Sequence, residues 1–294
     1  MYENRLNRLK SILSIPTFFR QEHNLLKFLV ERIKDKSYVY DIDTFGNLYI
    51  TKGTANIYPC ICAHTDSVHK LSKINIQHHK TNQKILIGVD DKGYRCGIGA
   101  DDKAGVFVCM EMLEQLPAIK VVLFASEEFG CIGSQNSDPK FFENVGYIIE
   151  FDCPGSSDVT HRCNGIELFD IKGDFYSLVE PVLTEMMPNE VVLWNHPYTD
   201  VWPLKRNHNF SCINLATGYY DYHTKYENVV IDEVDNAIAM GIKCIEELGN
   251  KFYEFKPNLN ESVEYDQVLD EIKRYYHKLF EYNPEPYRNI LLNE

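Results

Sequence analysis

Ionisable side chains of the kind that bind metal ions follow several apolar runs of the sequence. The residues that follow apolar runs are His64-Thr65-Asp66, Glu127-Glu128, Asp152 and His223. A further pair, Asp101-Asp102, lies in a turn flanked by glycines. Neutral histidine and carboxylate are good ligands for zinc, and for manganese or cobalt by the same chemistry. Two such ions need roughly three protein ligands each with one shared, and the set that supplies them is His64, Asp101, Glu128, Asp152 and His223. The sequence therefore predicts a site for two divalent metal ions.

Two further carboxylates are placed to assist this set. Asp66 is two residues from His64 at the same predicted strand end, where it can accept the other imidazole N–H and fix the ring. Glu127 stands beside Glu128 and is free to take a proton from a water molecule that the ions acidify. Any one of these residues alone is more typical of a structural role, so the prediction rests on the whole set. The chemistry it indicates is attack of water on a carbonyl group.

The elements that must position these residues are apolar strands alternating with helices. Such alternation predicts an α/β fold with a mostly parallel central sheet and helices on both faces. In sheets of this kind ligands bind beyond the carboxyl ends of the strands, where the predicted ligands would converge. We expect strands at 38–52 with a turn at Phe45-Gly46-Asn47, and at 57–63, 85–89, 120–125, 146–151, 191–194 and 211–216. We expect helices at 6–14, 21–35, 103–116, 175–187 with a kink or break at Pro181, 233–248 and 265–280.

Some ionisable residues read as ordinary surface or turn positions. Residues 67–98 are polar and irregular around the strand at 85–89. Asp90-Asp91-Lys92-Gly93 resembles the metal-binding turn but is typical of a hairpin turn, and His78-His79 is expected in solvent. Glu150 alternates with Asp152 on one strand and is the alternative ligand there. One of the tyrosines near His223 could stabilise an oxyanion.

Composition limits the class of partner. The chain has 294 residues, 44% of them apolar, and a formal net charge of −13, which argues against a nucleic-acid or anionic-membrane surface. The first ten residues are polar and charged, unlike a signal peptide, and no stretch approaches the roughly 20 apolar residues of a membrane span. Nine cysteines without repeated spacing are typical of reduced thiols. We expect a soluble, cytoplasmic protein.

The quoted motifs, in this order, resemble the ligand set of the co-catalytic dinuclear zinc exopeptidases, a superfamily that includes peptidase T, the carboxypeptidase and aminoacylase relatives and the single-domain bacterial aminopeptidases. The motifs are His64-Thr65-Asp66, Gly99-Ala100-Asp101-Asp102-Lys103-Ala104-Gly105, Ser126-Glu127-Glu128, Asp152 and His223-Thr224. The resemblance covers residues 60–249 and is highly specific. Residues 17–52 also look like the leading helix and Gly-Asn hairpin of the superfamily.

The resemblance implies a role for each residue. Asp101 would bridge the two ions, because Gly105 follows it by four residues as in the superfamily pattern. One ion would be held by His64 and Asp152, the other by Glu128 and His223. Glu127 would be the general base, and Asp66 would orient a ligand from behind. A cis peptide bond would join Asp101 to Asp102.

The resemblance also implies an activity, with alternatives. Only 71 residues separate Asp152 from His223, which is too few for the core strands plus a separate lid or dimerisation domain. We therefore expect a single catalytic domain without a lid over residues 1–294, with a helical tail, 251–294, packed on it. A metallo-exopeptidase, an aminopeptidase acting on short peptides, fits best, and it could form a homo-oligomer. The alternatives are a carboxypeptidase or N-acyl amino acid deacylase and, more distantly, a non-catalytic binding protein on this fold. The first two need a cation for the substrate carboxylate, for which Arg162, Lys205 and Arg206 are candidates.

Overall fold

The computed structural model describes residues 2–256. In chain order the helices are α1 (Tyr2–Leu13), α2 (His23–Ile33), α3 (Ala100–Gln115), α4 (Ile132–Gln135), α5 (Asp174–Met186), α6 (Val201–Asn207) and α7 (Ile231–Leu248). The strands are β1 (Tyr38–Ile42), β2 (Leu48–Lys52), β3 (Tyr58–His64), β4 (Asn75–His79), β5 (Asn82–Val89), β6 (Arg95–Cys96), β7 (Ile119–Phe124), β8 (Val145–Cys153), β9 (Asp158–Cys163), β10 (Ile166–Glu167), β11 (Val192–His196), β12 (Ser211–Ala216), β13 (Tyr219–Tyr220) and β14 (Asn228–Val230).

Nine of these strands form the central sheet, in the order β1-β2-β7-β3-β8-β12-β9-β10 with β11 paired to β9. The four middle strands β7, β3, β8 and β12 are parallel, and every residue in them is buried. Both faces of the sheet centre are therefore covered, as is usual for parallel strands. The predicted α/β fold with a mostly parallel sheet is confirmed. The antiparallel pairing of β1 with β2 agrees with the hairpin expected there. The antiparallel pairing of β2 with β7, and of β9 with β10 and β12, was not predicted.

Helix α3 is the most deeply buried helix neighbour of this sheet. It packs against β3, β7 and β8 on one side and against α7 and α1 on the other. All its residues from Ala100 to Leu113 are buried, which is the pattern of a helix inside a core. Lys103 is also fully buried, and its Nζ donates to the carbonyls of Leu13 (2.8 Å), the last residue of α1, and Ile15 (2.7 Å) just after it. The first helix is thereby tied to the start of α3.

A second, antiparallel sheet in the order β13-β14-β5-β4, with β6 paired to β5, corrects the expectation for residues 67–98. Strand β4 and the start of β5 were missed because their exposed and half-exposed polar residues lack an apolar alternation. His78-His79 was predicted to lie in solvent, but both residues are half-buried on β4. The hairpin turn at Asp90–Gly93 is present: the Gly93 N–H donates to the Asp90 carbonyl at 3.1 Å.

The other predicted elements lie within a few residues of the observed bounds, but α5 continues through Pro181 without a break. The helix expected at 265–280 lies outside the described residues. The part of the tail that is described, residues 251–256, forms a bridge between Phe210 and Glu254 beside β12. All nine cysteines are free and buried. Within residues 2–256, no helix is long and apolar enough to cross a bilayer. Most of the buried apolar side chains of this part of the chain form one connected cluster.

Candidate active site

The parallel strands bring the predicted metal ligands to one edge of the sheet. His64 is the last residue of β3, Glu128 follows the end of β7, and Asp152 is the last but one residue of β8. Asp101 comes from the start of α3 and His223 from the loop after β13. Because parallel strands end at the same edge, residues far apart in the sequence become neighbours.

Asp101 lies between two groups of ligand atoms. Its Oδ1 is 3.0 Å from His64 Nε2, and its Oδ2 is 3.2 Å from His223 Nε2. His64 Nε2 is also 3.5 Å from Asp152 Oδ1, and His223 Nε2 is 3.0 Å from Glu128 Oε1. The five predicted ligands are thus brought together as two sets that share one carboxylate.

These distances suit divalent metal ions. Two ligands of a tetrahedral zinc, each about 2.0–2.2 Å from the ion, are about 3.4 Å apart. The nitrogen–oxygen distances in both sets, 3.0–3.5 Å, are close to that value. His64, Asp101 and Asp152 are buried, so ions held there would be shielded from water on most sides. The donor set therefore fits two ions.

The electrostatics of the cluster favour bound positive charge. Burial raises the pKa of Glu127 well above its ordinary value, and burial raises that of Glu128 to about 7. Hydrogen bonds to Asp101 and Glu128 raise the pKa of His223 to about 10. Burial acts to raise the pKa of Asp101 as well, but hydrogen bonds from His223 and His64 lower it overall. Crowded carboxylates that draw protons onto neighbouring histidines will also draw cations.

Asp66 and Glu127 lie beside the ligand set. Glu127 is buried, and its Oε2 is 3.9 Å from His64 Nε2. Asp66 Oδ1 is 3.3 Å from His64 Nδ1, but the two atoms are not aligned as a hydrogen bond. Asp66 also accepts the backbone N–H groups of Glu127 (2.8 Å) and Glu128 (3.2 Å). It therefore holds the turn that carries both glutamates, a contact that sequence reasoning did not foresee.

The start of α3 departs from helical geometry at the two aspartates. The Asp101–Asp102 peptide bond is cis, as the resemblance implied, and both residues have non-helical φ and ψ angles. Asp102 accepts the Gly105 N–H at 3.0 Å and the His64 N–H at 3.1 Å. It acts as the N-cap of the regular helix, which explains why the sequence predicted a start at Lys103. With both oxygens bonded to the backbone, Asp102 has a structural role although it lies near His64 and Asp152.

Gly105 has to be glycine because of close approach. A Cβ atom at this position would lie 1.9 Å from the carbonyl oxygen of Phe151 and 2.4 Å from Asp102 Oδ1. The glycine lets α3 lie directly against the end of β8, which carries Asp152. The spacing of Gly105 from Asp101 thus reflects how closely two elements that carry predicted ligands must pack.

Glu150, the alternative to Asp152, lies near it, since the Thr199 hydroxyl is within hydrogen-bond distance of both carboxylates. It is fully buried, and its Oε2 accepts the Thr199 hydroxyl at 2.6 Å. Asp152 is the one of the two that lines the cavity described below. The Tyr219 hydroxyl donates to Asp152 Oδ1 at 3.3 Å, so it is engaged with that carboxylate.

A cavity of about 240 Å³ opens above the cluster. Its floor contains Asp101, Glu127, Glu128 and Asp152, and its wall is formed by Pro154, Trp194, Asn195, His196, Pro197, Tyr198, Tyr219, Tyr222 and His223. Trp194 and Tyr222 remain largely exposed, so they border its opening. The lining contains neither lysine nor arginine within residues 2–256.

The three candidate cations do not reach this cavity. Arg162 donates to the carbonyl of Gly165, and the guanidinium of Arg206 lies 5.0 Å from the centre of the Trp202 ring. Lys205 is fully buried and donates to the carbonyls of Phe210 and Phe255. All three have partners within the protein.

Asn47 is a supporting residue that sequence reasoning did not assign. It is fully buried in the Gly-Asn hairpin, where its Oδ1 accepts the Ala125 N–H (3.1 Å) and its Nδ2 donates to the Gly133 carbonyl (3.0 Å). It thus spans the loop that carries Glu127 and Glu128. The hairpin resemblance was the only signal for it.

Solved structures with the same fold were found at low sequence identity. An aminopeptidase PepT from Bacillus cereus has a TM-score of 0.71 at 14% identity, with 84% of this chain and 98% of that chain covered. A tripeptidase from Staphylococcus aureus has a TM-score of 0.69 at 12% identity, with 83% and 97% covered. The TET1 peptidase of Pyrococcus horikoshii has a TM-score of 0.60 at 13% identity, with 82% and 98% covered. At these identities the likeness concerns the fold.

The family assignment comes from the sequence itself. No curated protein matches the chain, but the sequence pattern of Peptidase family M28 matches residues 48–242. That range is more than half of the chain and contains all five predicted ligands and both assisting carboxylates. The predicted superfamily and the prediction of an enzyme are confirmed. The chain belongs to Peptidase family M28, and it is a peptide hydrolase of the dinuclear zinc exopeptidase superfamily.

Proposed function

We propose that the protein is an aminopeptidase that removes N-terminal residues from short peptides. It would work with two divalent metal ions, for which zinc is the first candidate. The observation that carries the proposal is the position of Asp101. Its two oxygens face His64 and His223 at 3.0 and 3.2 Å, and Glu127 lies beside them on the floor of the cavity. A carboxylate shared in this way is suited to two ions side by side.

Each ion would have its own ligands. His64 and Asp152 would hold one, Glu128 and His223 the other, and Asp101 both. The side chain of His64 is 1% exposed and that of His223 is 44% exposed. The second ion would therefore be the one nearer to solvent. Manganese or cobalt would suit the same donors.

The ions, when bound, supply an acidified water molecule and polarise the substrate carbonyl. Glu127 accepts a proton as the water oxygen forms its bond to the carbonyl carbon, and it returns a proton to the nitrogen as the C–N bond breaks. Asp66 holds the backbone of Glu127 by a 2.8 Å hydrogen bond, so the carboxylate stays in place during both transfers. Burial, which raises the pKa of Glu127, suits a group that must hold a proton between these steps.

The cavity favours an aminopeptidase over the carboxypeptidase and deacylase alternatives. Enzymes that bind a free substrate carboxylate need a cation, and none of the described lining residues is lysine or arginine. A cavity of about 240 Å³ is below the roughly 300–1,000 Å³ of sites for drug-sized ligands, which suits a chain end. The solved structures of similar fold described as an aminopeptidase and a tripeptidase support this reading.

Three further proposals concern the whole protein. We propose one catalytic domain, supported by the single connected core of residues 2–256. We propose a reducing, cytoplasmic location, supported by nine free cysteines. A homo-oligomer is supported by the TET1 peptidase, described as assembling into a tetrahedron or a large octahedral shell.

The test is metal content by elemental analysis of chelator-free protein, together with hydrolysis of amino-acid anilides and of dipeptides with free or blocked termini. We expect two ions per chain, as the ligand set implies, and cleavage only of substrates with a free amine. Light scattering on the same preparation measures the mass of the assembly.

Other outcomes would replace the proposal. Cleavage only of N-blocked or free-carboxylate substrates would favour the deacylase or carboxypeptidase. Failure to bind zinc, manganese or cobalt would favour a binding protein on this fold.

A further inference from the structure

Glu227 is a fully buried carboxylate next to the ligand set, but it does not line the cavity. Its Oε2 accepts the backbone N–H groups of Ile98 (2.7 Å) and Gly99 (2.6 Å). Its Oε1 accepts the N–H of Asp101 at 3.2 Å. His69 Nε2 lies 2.9 Å from Oε2, but the two atoms are not aligned as a hydrogen bond. One side chain thus contacts four groups at the approach to Asp101.

Two of the three backbone donors, Ile98 and Gly99, immediately precede α3, and the third, Asp101, is its second residue. N–H groups at the start of a helix have no carbonyl partner within the helix and carry a partial positive charge. A carboxylate that accepts several of them satisfies these donors and fixes the backbone that presents them. Residues 98–101 are therefore held by Glu227, and Asp101, the last of them, extends from this fixed segment.

The carboxylate of Glu227 also connects the three chain segments that carry His64, Asp101 and His223. Glu227 is four residues after His223, and His69 is five residues after His64. The His69 ring packs on Gly97, where a Cβ atom would lie 2.1 Å from it. The segments that carry the two histidines and Asp101 therefore meet at Glu227.

We infer that Glu227 is a positioning residue that fixes Asp101 between His64 and His223, and so sets the affinity of the chain for its metal ions. The inference rests on the proposed function, because it presupposes that Asp101 is a shared ligand. Glu227 touches neither substrate nor the reacting atoms. It acts through the backbone of residues 98–101 and through His69.

The variant Glu227→Gln keeps the shape of the side chain but changes its bonding. An amide has one acceptor oxygen and presents two N–H donors where the carboxylate presented a second acceptor. At least one of the three backbone N–H groups then loses its acceptor and faces another donor. The segment before Asp101 would loosen, although the volume of the core is unchanged.

Glu111→Gln is the matched control. Glu111 is also a buried glutamate and lies on α3, but its carboxylate accepts from Arg8 at the far side of the helix. Each variant replaces a buried carboxylate that accepts several hydrogen bonds, from Arg8 in one case and from backbone N–H groups in the other. Both variants should therefore lower the melting temperature of the metal-free protein. Only Glu227→Gln is expected to alter metal binding.

The experiment is a titration of metal-free full-length protein with Zn²⁺ by calorimetry and with Co²⁺ by visible absorption. We expect affinity for at least one ion to fall by about 10–100-fold in Glu227→Gln, the range for changes next to metal ligands, and the Co²⁺ spectrum to change. Glu111→Gln should bind both ions as the wild type does. In assays with saturating metal, kcat should fall more than KM changes.

Glu227→Asp keeps the charge and both acceptor oxygens on a shorter side chain, so we expect an intermediate metal affinity. If Glu227→Gln does not fold, the metal affinity of Glu227→Asp tests the inference in its place. Unchanged affinity in the Glu227 variants, or an equal loss in Glu111→Gln, would overturn the inference. A wild type that binds no metal would instead refute the proposed function, and the positioning role with it.

Discussion

Glu127 and Glu128 are adjacent in the chain, and Asp66 holds the backbone N–H of both. Their side chains nevertheless reach different partners. Glu128 Oε1 lies 3.0 Å from His223 Nε2, whereas Glu127 Oε2 lies 3.9 Å from His64 Nε2. The proposed roles of ligand and proton carrier can therefore be separated by the same substitution at neighbouring positions.

We expect Glu127→Gln to retain both ions but to lose about 10²–10⁴-fold in kcat, the contribution typical of a general base. Glu128→Gln should lose affinity for one ion, because an amide is a weaker ligand than a carboxylate. Elemental analysis and steady-state kinetics on the two variants check this. Near-normal turnover in Glu127→Gln, or loss of metal from it, would contradict the assigned role.

At this scale the sequence predicted the candidate ligands that the structure brings together, and missed residues that bond to the backbone around them. His64, Asp101, Glu128, Asp152 and His223 were recognised because their types and order match a metal-binding set. Glu227 and Asn47 bond to backbone groups of residues about 80–130 positions away. A backbone N–H is present at almost every residue, so no side-chain pattern identifies such partners.

At the scale of elements, prediction succeeded where a strand or helix is buried in a regular pattern. Strands β3, β7, β8 and β12 are mostly apolar and buried along their whole length, and helix α7 has a regular buried apolar face. Strand β4 has no fully buried residue, and pairing with β5 rather than burial defines it. Such a strand depends on a partner that single-sequence periodicity cannot reveal.

Helix α6 contains the buried Lys205, which binds the carbonyls of Phe210 and Phe255 and thereby fixes the segment after α7. Burial lowers the pKa of Lys205 to about 8. Between about pH 8 and the ordinary lysine pKa near 10.4, the unfolded chain binds the proton and the folded chain does not. The free energy of unfolding therefore rises with pH in this window and is independent of this group below it.

We expect the difference in free energy of unfolding between the wild type and Lys205→Met to rise by about 3 kcal/mol from pH 8 to pH 10.5, at 1.36 kcal/mol per pH unit. The neutral amine keeps its hydrogen bonds to both carbonyls, so the free energy of unfolding of the wild type rises relative to that of the variant. Urea unfolding at a series of pH values measures the difference. Lys140→Met, at an exposed position, is the control, and an equal slope in both variants would contradict the prediction.

At the scale of the whole molecule, the reactivity of the cysteine thiols measures how well the core excludes solvent. All nine are buried and unpaired. Burial raises the pKa of Cys212 and of Cys244 to about 12, and only the thiolate is an effective nucleophile. Since all nine lie within residues 2–256, the tail beyond Lys256 adds none.

We therefore expect the native protein to react very slowly with Ellman's reagent at pH 8, and the denatured protein to release nine equivalents of thiol. The measurement is absorbance with and without guanidinium chloride. Rapid reaction of any thiol in the native state would show that part of the core opens readily. An unfolded count below nine would show that disulfides are present.

The hydrogen bonds from Lys103 to the end of α1 also govern how the molecule can open. If α1 detached alone, a buried amine would lose both of its carbonyl acceptors, at a cost of a few kcal/mol or more. Partial unfolding proceeds in cooperative units, and this contact places α1 and the turn at Asp101-Asp102 in the same unit. The first helix thus opposes local unfolding of the turn at Asp101-Asp102, although none of its described residues lines the cavity.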